Sequence, residues 1–201
     1  EDLEDCISKI KNFSILAPTY DNETVYQNYR VWNPSGLTKK PKDENFEKYG
    51  VTEVDYVEND FIINKKEFEK LGFFDENIFM YYETMDLCFR ARAFNKKNYV
   101  CKKIQFTHYG AQSVSAKYSY QYSLNRSWHY NWSKYYYFKK NLGYIFAIRK
   151  ILPNFIRSLK KMIICRIRGE KNKYMFHKYE ILGIISSVFN KKSNYRPFKT
   201  E

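Results

Sequence analysis

The sequence predicts a mixed α/β fold continued by a helical C-terminal part, and three observations predict it. The apolar run from Phe13 to Pro18 follows directly on an acid-led amphipathic segment. A strand pattern from Asn98 to Thr107 follows a helical stretch from Met85 to Asn95. From about Tyr118 onward the apolar positions recur at helical intervals. Strand and helix patterns that alternate imply layers of helix on sheet. With 201 residues and 44% hydrophobic content the chain is long enough to bury a core. Residues 1–117 read as one α/β part and 118–201 as a helical, basic appendage.

Each element has its own reason. Glu1 to Lys11 carries acids early and lysines late, which complements the helix macrodipole. Phe13-Ser14-Ile15-Leu16-Ala17 reads as a buried strand closed by Pro18. Asn33-Pro34-Ser35-Gly36 is a turn, and Thr38 to Tyr49, rich in lysine and acids, reads as a mobile loop. Val54 to Asn64 is expected as a strand and Lys66 to Leu71 as a short helix. Four cysteines, Cys6, Cys88, Cys101 and Cys165, show no CxxC pair or zinc spacing, so reduced and mostly buried thiols are expected.

The net charge of +13 calls for an anionic partner. Between Lys139 and Lys173 basic residues face the single acid Glu170, interleaved with Ile148, Ile151, Leu152, Phe155, Ile156, Leu159, Met162, Ile163 and Ile167. This is an amphipathic helix pattern, broken or restarted at Pro153. A basic helix with an apolar face suits the cytoplasmic surface of a membrane, and the same stripe also suits packing on the domain. No apolar run approaches the ~18 residues of a membrane span. The expected location is therefore the cytoplasm, peripheral at the inner face of the cell membrane. The aromatic belt of Tyr118 to Tyr122 and Trp128 to Phe138 could stack on sugars or sit at a membrane interface. Basic and aromatic interleaving also occurs in nucleic-acid binders, but no RNP-like, KH-like or zinc signature accompanies it, so no nucleic-acid partner is expected.

The chemistry concentrates in Tyr81-Tyr82-Glu83-Thr84-Met85-Asp86-Leu87-Cys88-Phe89-Arg90. A helix entered near Glu83 puts Glu83 and Asp86 on neighbouring turns of one face, with Arg90 one turn further. Carboxylates that feel each other have their proton affinities pushed apart, which suits one of them as a general base. The same residues also read as a solvated helix start.

Four blocks in order extend that pattern: Glu53 to Phe68, Leu71-Gly72-Phe73-Phe74-Asp75-Glu76, the Tyr81 to Arg90 segment, and Phe106-Thr107-His108-Tyr109-Gly110-Ala111-Gln112-Ser113. Together they resemble the acceptor-side half of bacterial family 2 glycosyltransferases, rhamnosyltransferase-like members included, from about Ile10 to Ser115. The resemblance implies a partial GT-A α/β/α sandwich with a C-terminal helical appendage. It implies inverting transfer of a sugar from a nucleotide-diphosphate sugar to a glycan or lipid-linked acceptor, in bacterial surface polysaccharide or lipid-linked glycan synthesis. Glu83 and then Asp86 are the implied base, because the family's usual second acid is here Thr84, whose hydroxyl has no suitable pKa. Asn59, Asp60, Tyr82 and Arg90 are the expected substrate-binding residues, and His108 the expected ligand of a divalent cation, Mn²⁺ or Mg²⁺. His129 and His177 lack acidic neighbours at ligand spacing and are left out of the site. The family's DxD and nucleotide-binding strands are expected upstream of Glu1. Two alternatives remain: a non-catalytic relative that binds glycan or scaffolds, and a basic nucleic-acid module.

Overall fold

The computed structural model describes residues 2–10, 12–20, 29–32, 38–39, 50–107 and 115–196. The turn at Asn33 to Gly36 and all of the expected loop beyond Lys39 up to Tyr49 lie outside them. The chain divides into two compact units, one formed by Glu1–Asp75 with Thr84–Gly110 and the other by Glu76–Glu83 with Ala111–Glu201. Segment 76–83 thus groups with the C-terminal helices.

The first unit is mixed α/β. Helix α1 (Asp2–Lys9) leads into β1 (Phe13–Tyr20), β2 (Tyr29–Trp32), β3 (Thr38–Lys39), β4 (Val51–Val54), β5 (Tyr56–Val57) and β6 (Ile62–Ile63); then come α2 (Lys65–Lys70), α3 (Glu83–Ala93) and β7 (Lys97–Phe106). One sheet has the order β4-β7-β1-β6, with β1 and β7 parallel and both edge strands antiparallel. A second sheet has the order β3-β2-β5. Because strand side chains alternate between faces, β1 feeds two cores. Ile15 and Ala17 join Leu87, Cys88 and Ala91 of α3, whereas Leu16 joins Cys6 of α1, Val51 and Cys101. The sheet therefore carries a helix on each face.

Several expectations are corrected here. Pro18 lies within β1, because the ladder to β7 is irregular between Pro18 and Thr19 and spares the missing N–H. The expected strand from Val54 to Asn64 is instead three short strands, since Glu58, Asn59 and Asp60 are exposed and interrupt the pairing. The Cys6 and Cys101 sulfurs meet as a disulfide with Cα atoms 7.0 Å apart. A sequence separation of 95 gives local spacing nothing to show. Cys88 and Cys165 are free and buried.

The second unit packs α4 (Ser119–Leu142), α5 (Tyr144–Ile167) and α6 (Lys171–Val188) around Tyr135, Ala147, Ile151 and Ile184. Helix α5 runs unbroken through Pro153. One lost hydrogen bond is outweighed by the packing of Ile148, Ile151 and Phe155 on either side. Much of the aromatic belt is core: Trp128, Trp132, Tyr135 and Tyr137 are buried, and Tyr118, Tyr120 and Tyr130 are exposed. His129 is fully buried and clips the tail, with Nδ1 on Ser193 Oγ and Nε2 on the Tyr195 carbonyl, both at 2.9 Å. His177, expected to lack an acidic neighbour, has Glu180 one turn along: His177 Nδ1 and Ser158 Oγ both bond Glu180 Oε2 at 2.8 Å, which ties α5 to α6. No helix among the described residues is long and apolar enough to cross a membrane.

Helix α6 crosses α4 at Gly183, where an added Cβ would fall well inside contact distance of the Trp128 carbonyl oxygen. Backbone cannot swing aside as a side chain does, so Gly183→Ala forces the helices apart. The expected cost is about 1–3 kcal/mol, despite alanine's better helix propensity. Chemical denaturation checks this; a neutral or stabilising result contradicts the close crossing.

Candidate active site

Asp86 is built into the frame of the first unit. It is fully buried, and Arg90 Nε donates to its Oδ2 at 2.8 Å across one turn of α3. The remaining guanidinium donors reach the Leu71 carbonyl and the Phe73 carbonyl, the latter at 2.6 Å. Those carbonyls are presented by the C-terminus of α2, which ends in a 6→1, 5→2 turn. Phe73 N–H bonds Phe68 O, Gly72 N–H bonds Glu69 O, and Gly72 takes φ +77. The Phe68 and Phe73 rings meet edge to face at 5.1 Å, sealing the turn. The Leu71-Gly72-Phe73-Phe74 block is therefore a helix stop whose carbonyls Arg90 reads.

Thr84 is likewise structural. It is buried, and its Oγ1 donates to the Glu58 carbonyl at 2.8 Å. That bond fixes the start of the exposed Asn59-Asp60 turn. Asp60 Oδ2 accepts from Tyr20 Oη at 2.6 Å, and burial together with this carboxylate pushes the Tyr20 phenol well above its usual range. Asn59 and Asp60 thus sit on an exposed turn at the end of a buried strand, a place from which polar side chains can meet a ligand.

Glu83, the first residue of α3, has a different environment. It is half-buried, and its Oε2 is buried without a hydrogen-bond partner among the described residues. Burial raises its carboxyl above the ordinary value of 4.5, with its own backbone N–H the opposing influence. The preceding Tyr81 and Tyr82 both take left-handed backbone, φ +65 and +68. Two bulky residues in that region cost on the order of 1–3 kcal/mol each, so their surroundings must hold them. Helix α4, in the same second unit as these residues, supplies the grip. Arg126 Nε donates to Tyr81 Oη, Tyr130 stacks edge-on to Tyr81 at 5.6 Å, Tyr82 packs on Tyr137 at 5.4 Å, and Ser133 Oγ donates to the Met80 carbonyl at 2.8 Å. The sequence does not reveal Arg126 and Ser133 as supports of this elbow, because they lie 45 and 53 residues from their partners.

Sequence spacing places Glu83, Asp86 and Arg90 on one helix, and the structure separates their roles. Asp86 and Arg90 neutralise each other, leaving Glu83 as the carboxyl whose proton affinity is raised, by burial. His108 lies outside the described residues. Among those described, no group of three or more His, Cys, Asp or Glu could hold a metal ion. The clefts bordered by Trp132 and Tyr136 and by Cys165 and Tyr174 contain none of the sequence-predicted site residues.

Two substitutions have opposite expected signs. Asp86→Asn leaves Arg90 without its counter-charge and destabilises by about 3 kcal/mol. Glu83 has a folded-state pKa above its unfolded value, so the folded state holds more protons and stability falls as pH rises past about 4.5. Glu83→Gln removes that loss, so its melting temperature exceeds the parent's by a few degrees at pH 7.5 and converges with it near pH 4. Thermal melts across that range check both signs. Comparison of the chain with family models, with curated proteins and with solved structures finds no match.

Proposed function

We propose that this chain forms the acceptor side of an inverting glycosyltransferase, with Glu83 as its general base. In this reading the Glu83 carboxylate takes the proton of an acceptor hydroxyl as that oxygen bonds to the anomeric carbon of a nucleotide-diphosphate sugar. The bond from that carbon to the diphosphate breaks, the nucleoside diphosphate leaves with the electron pair, and configuration inverts. A base works best with its pKa moved toward the working pH, and burial moves Glu83 in that direction. The observation that carries the reading is the partnerless, buried Oε2 of Glu83 at the end of a strained two-tyrosine elbow. The four ordered sequence blocks and a sheet with a helix on each face also support it. The divalent cation that the resemblance implies has no group of three or more His, Cys, Asp or Glu to hold it among the described residues. Asn59 and Asp60 on their exposed turn are the proposed contacts to sugar.

A glycan-binding or scaffolding relative without catalysis is the second reading, favoured by the structural use of Asp86, Arg90 and Thr84. Kinetics separate the two. Glu83→Gln in the full chain is expected to lose about 10²–10⁴ in turnover while staying folded. Unchanged turnover in this variant would refute the base assignment. Glycan binding by a parent protein with no turnover favours the second reading.

Helix α5 supports a membrane surface as partner. Its apolar residues divide into two stripes, one packed in the bundle and one, Leu152, Ile156, Leu159, Ile163 and Ile167, exposed at 37–80%. Arg149, Arg157, Lys160 and Lys161 are exposed on the same helix. Ile156→Asp with Ile163→Asp is expected to abolish flotation with anionic vesicles at unchanged melting temperature. Equal flotation of this variant rules the stripe out.

A further inference from the structure

The second unit contains a cleft of about 230 Å³ where the C-terminal turns of α4 and α6 lie side by side. Lys139 and Lys140 border it from α4, and Lys191 and Lys192 from the turn after α6; no acid lines it. Its aromatic edge is Trp132 and Tyr136, stacked at 5.0 Å with 18° between ring planes. Ser187, only 3% exposed, also lines it, and the Ser187 hydroxyl has no hydrogen-bond partner among the described residues.

Cations at helix C-termini ordinarily answer the macrodipole, and the size of that demand is known. Each helix end carries roughly half a negative charge, so two ends are satisfied by about one cation. The three ammonium groups of Lys139, Lys191 and Lys192 by themselves leave an excess of about two positive charges around one small concavity. The α6 carbonyls are moreover already capped: Asn190, at φ +57, donates to Ser187 O, and Lys191 N–H donates to Ser186 O at 2.8 Å. Trp132 Nε1 bonds the Lys191 carbonyl at 2.9 Å, and Lys139 Nζ bonds Asn190 Oδ1 at 2.6 Å. These bonds fix the cleft wall in place. A buried hydroxyl left unmatched beside such a wall lacks an acceptor.

We propose that this cleft binds the phosphate or diphosphate group of a phosphorylated ligand. The lysines neutralise its charge, the Ser187 hydroxyl donates to one of its oxygens, and the Trp132–Tyr136 edge meets the group it esterifies. The volume sets the scale, because pockets that enclose drug-sized molecules run roughly 300–1,000 Å³. This cleft suits a headgroup and leaves the remainder of the ligand outside. The inference stands independently of glycosyl transfer, since every residue in it belongs to the second unit.

Calorimetric titration of the full chain with inorganic pyrophosphate tests it. One site per chain is expected, weakened about tenfold by Lys191→Gln with Lys192→Gln and several-fold by Ser187→Ala, a small change at a helical position that preserves the fold. Lys65→Gln with Lys66→Gln, on exposed positions of α2, is the control and should leave affinity unchanged. No binding at millimolar pyrophosphate overturns the proposal, as does equal weakening by the control pair, which would mean diffuse attraction only. Vesicles of phosphatidylcholine with phosphatidic acid distinguish the source of the phosphate. Capture that pyrophosphate competes away, and that Ser187→Ala weakens, identifies a lipid phosphate. Pyrophosphate binding without such capture identifies a soluble one.

Discussion

The Asp86–Arg90 pair is the constraint on which the first unit's architecture depends. A carboxylate with no exposure to water is tolerable only beside a fixed counter-charge, and the pair at 2.8 Å supplies it. Arg90 then has donors left over, and these go to the two carbonyls that the α2 stop leaves open. One side chain thereby fixes α3 against the end of α2. Asn98, buried, adds a second brace by donating to the carbonyls of Asp55 and Cys88. With α3 held in this way, its first residue has a defined place.

That place is where the molecule departs from local ease. Tyr81 and Tyr82 occupy backbone that bulky residues avoid, and Glu83 buries one carboxyl oxygen, Oε2, without a partner among the described residues. Each lowers stability, although glycine at the elbow or glutamine at position 83 would relieve the cost. The nearby Asp86 shows that the fold can match a buried acid with a cation when structure alone is at stake. The contrast between two carboxylates three residues apart, one paired with a cation and one with a buried oxygen left unmatched among the described residues, is the physical content of the functional reading.

Much of the frame was legible from residues alone. Helices α1 and α3, strands β1 and β7 and the C-terminal helices follow from periodicity and charge order, since each has an amphipathic or apolar signal longer than its ends are uncertain. Proline misled twice, at Pro18 and Pro153, because punctuation rules describe the cost of a missing N–H and not the packing that offsets it. The pairing of Cys6 with Cys101 depends on sheet topology and has no local trace. The spacing of Glu83, Asp86 and Arg90 was readable. Which acid would take the arginine was not, because an i,i+4 partner for Arg90 is favoured over an i,i+7 one only once the helix start is known. The apolar positions of α5 were also readable, but their division into a packed and an exposed stripe required the bundle.

The solitary state of Glu83 can be observed without knowing any substrate. Selective ¹³C labelling of glutamate carboxyl groups, followed by NMR titration of the parent and of Glu83→Gln, isolates one resonance. The account predicts that this resonance titrates clearly above the ordinary glutamate value of 4.5. Titration at or below that value would show a solvated or ion-paired carboxylate and would contradict the assignment of Glu83 as the base.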